Sequence, residues 1–233
     1  MVDLQAHIEQ IVAGSGARIG VTIHHIESGA LVLVDADTPV PLASVVKIPV
    51  LVEAFRQLTE GRLTLDERWA LRDRHKALGS GVLRHMADGA LLTAADLLIL
   101  MTIISDNTAT DLIIERLGVD AINTYMHELG LTNTHVVRTL NEVFEDMLFK
   151  AELLDRASCD HMLDILLKQQ FNDRLPRFLP PGTRVAHKTG TFSGVRNDCG
   201  IIYVNEHSHV IVTTLSTWDH GACRGNRIAE WQR

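Results

Sequence analysis

The chain has 233 residues, 46% of them apolar and 22% charged, with a formal net charge of −7 at neutral pH. These values describe a globular protein long enough to bury a large core without staples. They exclude a phosphate-tracking nucleic-acid binder, which needs a basic face.

The predicted elements begin with an amphipathic helix carrying Leu4, Ile8, Ile11 and Val12 at helical spacing. It has neither the basic start nor the apolar stretch of a signal peptide. The expectation is a cytoplasmic protein if Met1 is the native start, and a periplasmic or secreted one if a leader was removed. No stretch approaches membrane-spanning length. "RIGVTIHHIESGALVLVDAD" reads as a hairpin turning at Glu27-Ser28-Gly29. From Ser44 to Thr59 the chain is apolar on nearly every side, the pattern of a helix buried in the interior. It nevertheless contains Lys47, and a lysine is almost never buried without a partner.

Helices follow in "LTAADLLILMTIISDNTATDLIIERLG", with Thr93 as N-cap and Gly118 as stop, then in "DAINTYMHELG" and "DRASCDHMLDILLKQ". Strands return at Arg184–Thr189, Cys199–Val204 and His209–Thr217, and the residues from Ala222 on read as a short helix. His207 and His209 fall in a hairpin turn with no carboxylate or cysteine cluster, so they are not read as a metal site. Cys159, Cys199 and Cys223 lack metal-like spacing and leave at least one thiol unpaired. No metal or cofactor is expected.

Strand-forming segments at both chain ends bracket a helical middle. That pattern predicts an α/β fold: one antiparallel sheet built from both ends with flanking helices, plus an inserted all-helical lobe. Residues 1–43 and 182–233 are expected to form the sheet lobe and residues 44–181 the helical lobe, with a small-molecule site in the cleft between them.

Three short motifs lie along that cleft: Ser44-x-x-Lys47, Ser105-Asp106-Asn107 and Lys188-Thr189-Gly190. The first alone carries almost no information. The ordered set is the one shared by class A β-lactamases and penicillin-binding proteins. A lysine three residues beyond a serine shares its helical face. At the start of a buried helix, Ser44 is surrounded by backbone N–H groups and the positive dipole end, which suit attack that creates a negative oxygen. Burial and a second cation depress Lys47 so that its neutral form can act as a base. Pro49 cannot donate to the carbonyl of Val45 and leaves the first turns irregular. Gly190 permits close backbone approach to a ligand and is a candidate substrate-binding residue, and Arg196 offers a bidentate anchor for a carboxylate. A snorkelling lysine, an N-cap cluster and a lysine-guarded strand edge each explain one motif. None explains all three.

With these motifs the chain resembles the penicillin-recognising serine hydrolases, most closely the class A β-lactamase branch, from "RIGVTIHHIESG" through "SDNTATDLIIERLG" to the strand after "HKTG". The resemblance implies an acyl-enzyme mechanism on an amide or ester. By it, Ser44 is the acylated nucleophile and Lys47 its base, Ser105 relays a proton to the leaving nitrogen, and Asn107 orients substrate and Lys47. Lys188 supplies positive potential, Thr189 or Thr191 bonds the substrate carboxylate, and the N–H groups of Ser44 and Thr191 form the oxyanion hole.

The departure lies between the second and third motifs. That interval is about twenty residues short, a change that loops tolerate, and no E-x-x-L-N pattern supplies the family's deacylating glutamate. Glu142 and Glu145 are the candidate deacylation bases, although exposed glutamates at a helix start need no catalytic role. The C-terminal helix is also cut short, at "RIAEWQR". β-Lactam hydrolysis is therefore expected to be inefficient. The alternatives are a DD-peptidase- or esterase-like hydrolase and a penicillin-binding or sensor protein that does not turn over. In each the expected partner is a small molecule, a β-lactam or a peptide-like amide or ester, with no nucleic acid and no membrane.

Overall fold

Alternating apolar residues near both chain ends pair into one sheet, and this pairing organises everything else. The structure, a computed structural model, describes residues 3–130, 136–147, 151–152 and 154–218. Helix α1 (Leu4–Gly14) starts at Asp3, whose carboxylate accepts from the N–H groups of Gln5 and Ala6. The hairpin β1 (Arg18–His25) and β2 (Ala30–Val34) follows. A 3-10 turn at Ala43–Val46 leads into α2 (Lys47–Thr59). The ribbon of β3 (Arg68–Ala70) and β4 (Leu91–Thr93), which the sequence pattern did not anticipate, precedes α3 (Ala94–Ile103). Then come α4 (Asn107–Leu117), α5 (Val119–Glu128), α6 (Val136–Glu145) and α7 (Arg156–Leu166). Strands β5 (Arg184–Phe192), β6 (Val195–Asn205) and β7 (Ser208–Thr217) complete the order. No helix among the described residues is long and apolar enough to cross a membrane.

The sheet is antiparallel with strand order β2-β1-β7-β6-β5. Pairing of β1 with β7 runs from Arg18 opposite Thr217 to His25 opposite Val210. The expected sheet from both chain ends is therefore present. Ile8 and Val12 of α1 pack with Ile19 and Ile23 against Val21, Val32 and Val34. The larger core surrounds α2, where Val50, Leu51, Val52 and Ala54 are completely buried with Leu97, Leu98, Met101 and Ile113. Each such aliphatic side chain contributes about 1.5–3 kcal/mol on burial, enough to carry a lysine into the same interior.

Two expected boundaries shift. The helix anticipated from Ser44 begins as a 3-10 turn, and α2 proper starts at Lys47. Pro49 explains the difference, since it has no N–H for the carbonyl of Val45. β5 continues to Phe192 and β6 begins at Val195, so Lys188-Thr189-Gly190 lies inside a strand and not at its end. The hairpin reverses at Ser193-Gly194, with Gly194 at φ 68°. The short helix expected from Ala222 lies outside the described residues.

Candidate active site

Lys47 opens α2 and is 1% exposed. Its Nζ lies 2.8 Å from the carbonyl oxygen of Ser105, 2.9 Å from Ser105 Oγ and 2.9 Å from Asn107 Oδ1. The carbonyl and amide oxygens can only accept. A neutral amine has two N–H donors for them and a lone pair that the Ser105 hydroxyl can approach. Burial first, and then the charge of Lys188, hold Lys47 well below the usual lysine range. The surroundings thus favour the neutral, basic form.

Lys188 is also fully buried, but its partners differ. Its Nζ donates to the carbonyl oxygen of Thr189 at 2.8 Å and to Ser105 Oγ at 3.2 Å. Burial lowers it to about 7. Ser105 Oγ lies between them.

The second motif is braced from below. Asp106 is completely buried, and its carboxylate accepts from the N–H groups of Val82 (2.6 Å), Leu83 (2.9 Å) and Ala109 (3.0 Å). It therefore caps α4 and pins the preceding loop. Gly81, at φ 113°, is required there because a Cβ would collide with the Asp106 carboxylate. The Asn107 amide is oriented by donation from Nδ2 to the carbonyl oxygen of Leu78 at 2.8 Å, which leaves Oδ1 for Lys47. Ser105 itself sits at φ 56°, a strained conformation of the kind that collects at functional sites.

Ser44 lies half-buried in the 3-10 turn, preceded by Ala43 at φ 47°. Strand β5 is pressed against this turn. A Cβ on Gly190 would stand 2.6 Å from the carbonyl oxygen of Leu42 and 3.1 Å from Val45 Cγ2, so glycine is what lets the third motif reach the first. Asn197 of β6 holds the other side, with Nδ2 donating to the carbonyl oxygens of Pro41 (2.7 Å) and Leu42 (3.0 Å). Its Oδ1 accepts from the N–H of Ser216. The turn carrying Ser44 is thus tied to the sheet by two strands.

A family model, the β-lactamase enzyme family, matches residues 3–230. The chain belongs to the β-lactamase enzyme family. It is accordingly a serine β-lactamase-like hydrolase. Extended-spectrum beta-lactamase PER-1 of Pseudomonas aeruginosa is 28% identical over 91% of this chain and 79% of its own. Among solved structures, PBP-A is 31% identical with a TM-score of 0.87, covering 100% of this chain and 94% of its own. A point mutant of PBP-A, with the same identity, TM-score and coverage, is an acyl-enzyme complex with penicillin G. A β-lactamase from Sphaerobacter thermophilus DSM 20745 is 32% identical with a TM-score of 0.83, covering 91% and 87% of the two chains.

Two arginines lie along the β5–β6 hairpin. Arg196 is exposed, and its Nη1 donates to the carbonyl oxygens of Phe192 (3.1 Å) and Val195 (2.9 Å) while the guanidinium lies over Trp218. It is committed to its own hairpin. The guanidinium beside the third motif belongs to Arg174, which the motif search missed. Its Nη2 donates to Thr191 Oγ1 at 2.5 Å, and its Nη1 to the carbonyl oxygens of Gly190 and Asn197. Arg174 and Arg196 both line a cavity of about 530 Å³ with Asp173, Leu175, Asp198 and Thr214.

The candidate deacylation bases both lie on α6. Glu145 at the end of α6 pairs with His24 on β1 at 3.3 Å. β1 is three strand spacings from β5, roughly 14 Å. Glu142 is exposed.

Proposed function

We propose that Ser44 is acylated by carboxylate-bearing β-lactams, and that the resulting ester is released slowly. Lys47, neutral in its buried site, takes the Ser44 proton, and Ser105 passes a proton to the leaving nitrogen. The N–H groups of Ser44 and Thr191 stabilise the oxyanion. Lys188 supplies positive potential, Thr189 and Thr191 line the carboxylate end, and Arg174 anchors the carboxylate in place of Arg196. The site lies in the seam between a sheet lobe (1–43 with 182–233) and a helical lobe (44–181).

The observation that carries this reading is the hydrogen-bonded chain from Lys188 through Ser105 to Lys47 and Asn107. The penicillin G acyl-enzyme of the PBP-A mutant supports the covalent step. Slow release follows from Glu145 being drawn to His24 and Glu142 facing solvent. Intact-mass spectrometry with benzylpenicillin tests the reading. Wild type is expected to gain one penicilloyl mass and Ser44→Ala none; drug loss without an adduct in Ser44→Ala would overturn it.

A further inference from the structure

Directly behind Lys188, on the same strand, His187 is completely buried. Nothing in the acylation chemistry above uses it. Its Nδ1 lies 2.9 Å from Asp198 Oδ1 and 3.1 Å from Oδ2, and its Nε2 lies 3.0 Å from Asn172 Oδ1. The orientation of the Asn172 amide decides what these contacts mean. Asn172 Nδ2 donates to the carbonyl oxygen of Gln169 at 3.2 Å, and a flipped amide would set two oxygens against each other there. Asn172 Oδ1 therefore faces the ring. Both ring nitrogens meet acceptors, and only the doubly protonated ring can donate to both. A neutral ring would leave either the Asp198 carboxylate or Asn172 Oδ1 without its donor from the ring.

The same contacts hold the segment that bears Arg174. Asp198 Oδ2 also accepts from the N–H of Leu175 at 3.1 Å, and Gln169 Nε2 donates to the carbonyl oxygen of His187 at 3.4 Å. Asn172 and Leu175 thus flank Arg174 and are both tied, directly or through Asp198, to His187. The other charged or titratable groups near the ring point elsewhere. Lys188 turns to Ser105, and the Cys199 thiol turns to the carbonyl oxygen of Lys188. Arg174 turns to Thr191, Asp173 is exposed, and Asp160 and Asp164 of the packed α7 act on Tyr203. Asp198 is the counter-charge.

We propose that His187 is a positioning residue, a doubly protonated ring clamped between Asp198 and Asn172 that fixes Arg174 against Thr191. The proposal rests on the reading that Arg174 anchors the substrate carboxylate.

Nitrogen-15 spectra of the ring in the full chain at pH 7 are expected to show both nitrogens protonated. A neutral tautomer would overturn the proposal. With benzylpenicillin as probe, His187→Gln should raise the half-saturating concentration for acylation about tenfold, with the limiting rate within about twofold. Combined with Arg174→Ala it should add nothing further. Additive effects would mean that His187 does not act through Arg174. If His187→Gln does not fold, Asn172→Ala removes one acceptor at an exposed position and should give the same selective loss of affinity; an unchanged affinity would overturn the proposal. The ring spectrum needs no substrate. Failure of wild type to be acylated would therefore sink the functional reading while leaving the charge on His187 decided.

Discussion

The contact between α2, the Ser105-Asp106-Asn107 turn and β5 differs sharply from α6, one of the helices between the second and third motifs. In the first region Lys47, Ser105, Asp106 and Lys188 are all at most 3% exposed and are bonded to one another or to the braces beneath them. In the second, Glu142 faces solvent and Glu145 is paired with a histidine on a distant strand. Acylation needs preorganised groups at fixed distances, and the first region supplies them. Deacylation needs a base held against a water. Forming the ester and releasing it are separable physical problems.

The largest break in that comparison is Ser44→Ala, expected to lower the acylation rate by about 10⁴-fold or more. Rapid-quench mass spectrometry checks it. Lys47→Met should follow, with a loss of about 10²–10⁴-fold in limiting acylation rate and the fold retained by circular dichroism. The charge on Lys188 gives a pH signature. It is lost as pH rises through about 7, so the second-order acylation rate should fall through that pH. Lys188→Arg, slower throughout, should lose that limb because guanidinium stays charged. The linkage to stability has the opposite sense. The unfolded chain holds this proton more tightly, so Lys188 makes stability rise with pH from about 7 towards the ordinary lysine range.

Smaller effects sharpen the contrast. Arg174→Ala should raise the half-saturating benzylpenicillin concentration about 10–100-fold, whereas Arg196→Ala should stay within about twofold. Equal losses would return the carboxylate to Arg196. The smallest expected effect is that of Glu145→Gln. It removes a partly exposed ion pair with His24, lowers stability by less than about 1 kcal/mol in a thermal melt and leaves acylation unchanged.

Much of the fold was legible in the sequence because period-2 runs at both ends and helical runs between them leave few ways to bury apolar faces. The three motifs stood out for a similar reason, since each carries chemistry at fixed spacing, and the structure brings Lys47, Ser105 and Lys188 together. What stayed hidden depends on pairing across long separations. Nothing local to Arg174 announces that it will lie against Thr191, or that Asn197 will reach Pro41. His187 reads as an ordinary interior strand residue until Asp198 and Asn172 are set beside it. The length of β5 was underestimated because Gly190 looks like a strand end, whereas it marks the close approach of two backbones. Glu142 and Glu145 attracted notice only by occupying the right interval, and position along the chain did not fix where their carboxylates point.

The most direct test of the split between acylation and release is a quench-flow time course with benzylpenicillin, comparing wild type with Glu142→Gln/Glu145→Gln. The expected result is one equivalent of adduct on the Ser44 peptide in both proteins, formed rapidly and lost at the same slow rate. Rapid release in wild type that disappears in the double variant would contradict it, and would restore one of those glutamates as the deacylating base.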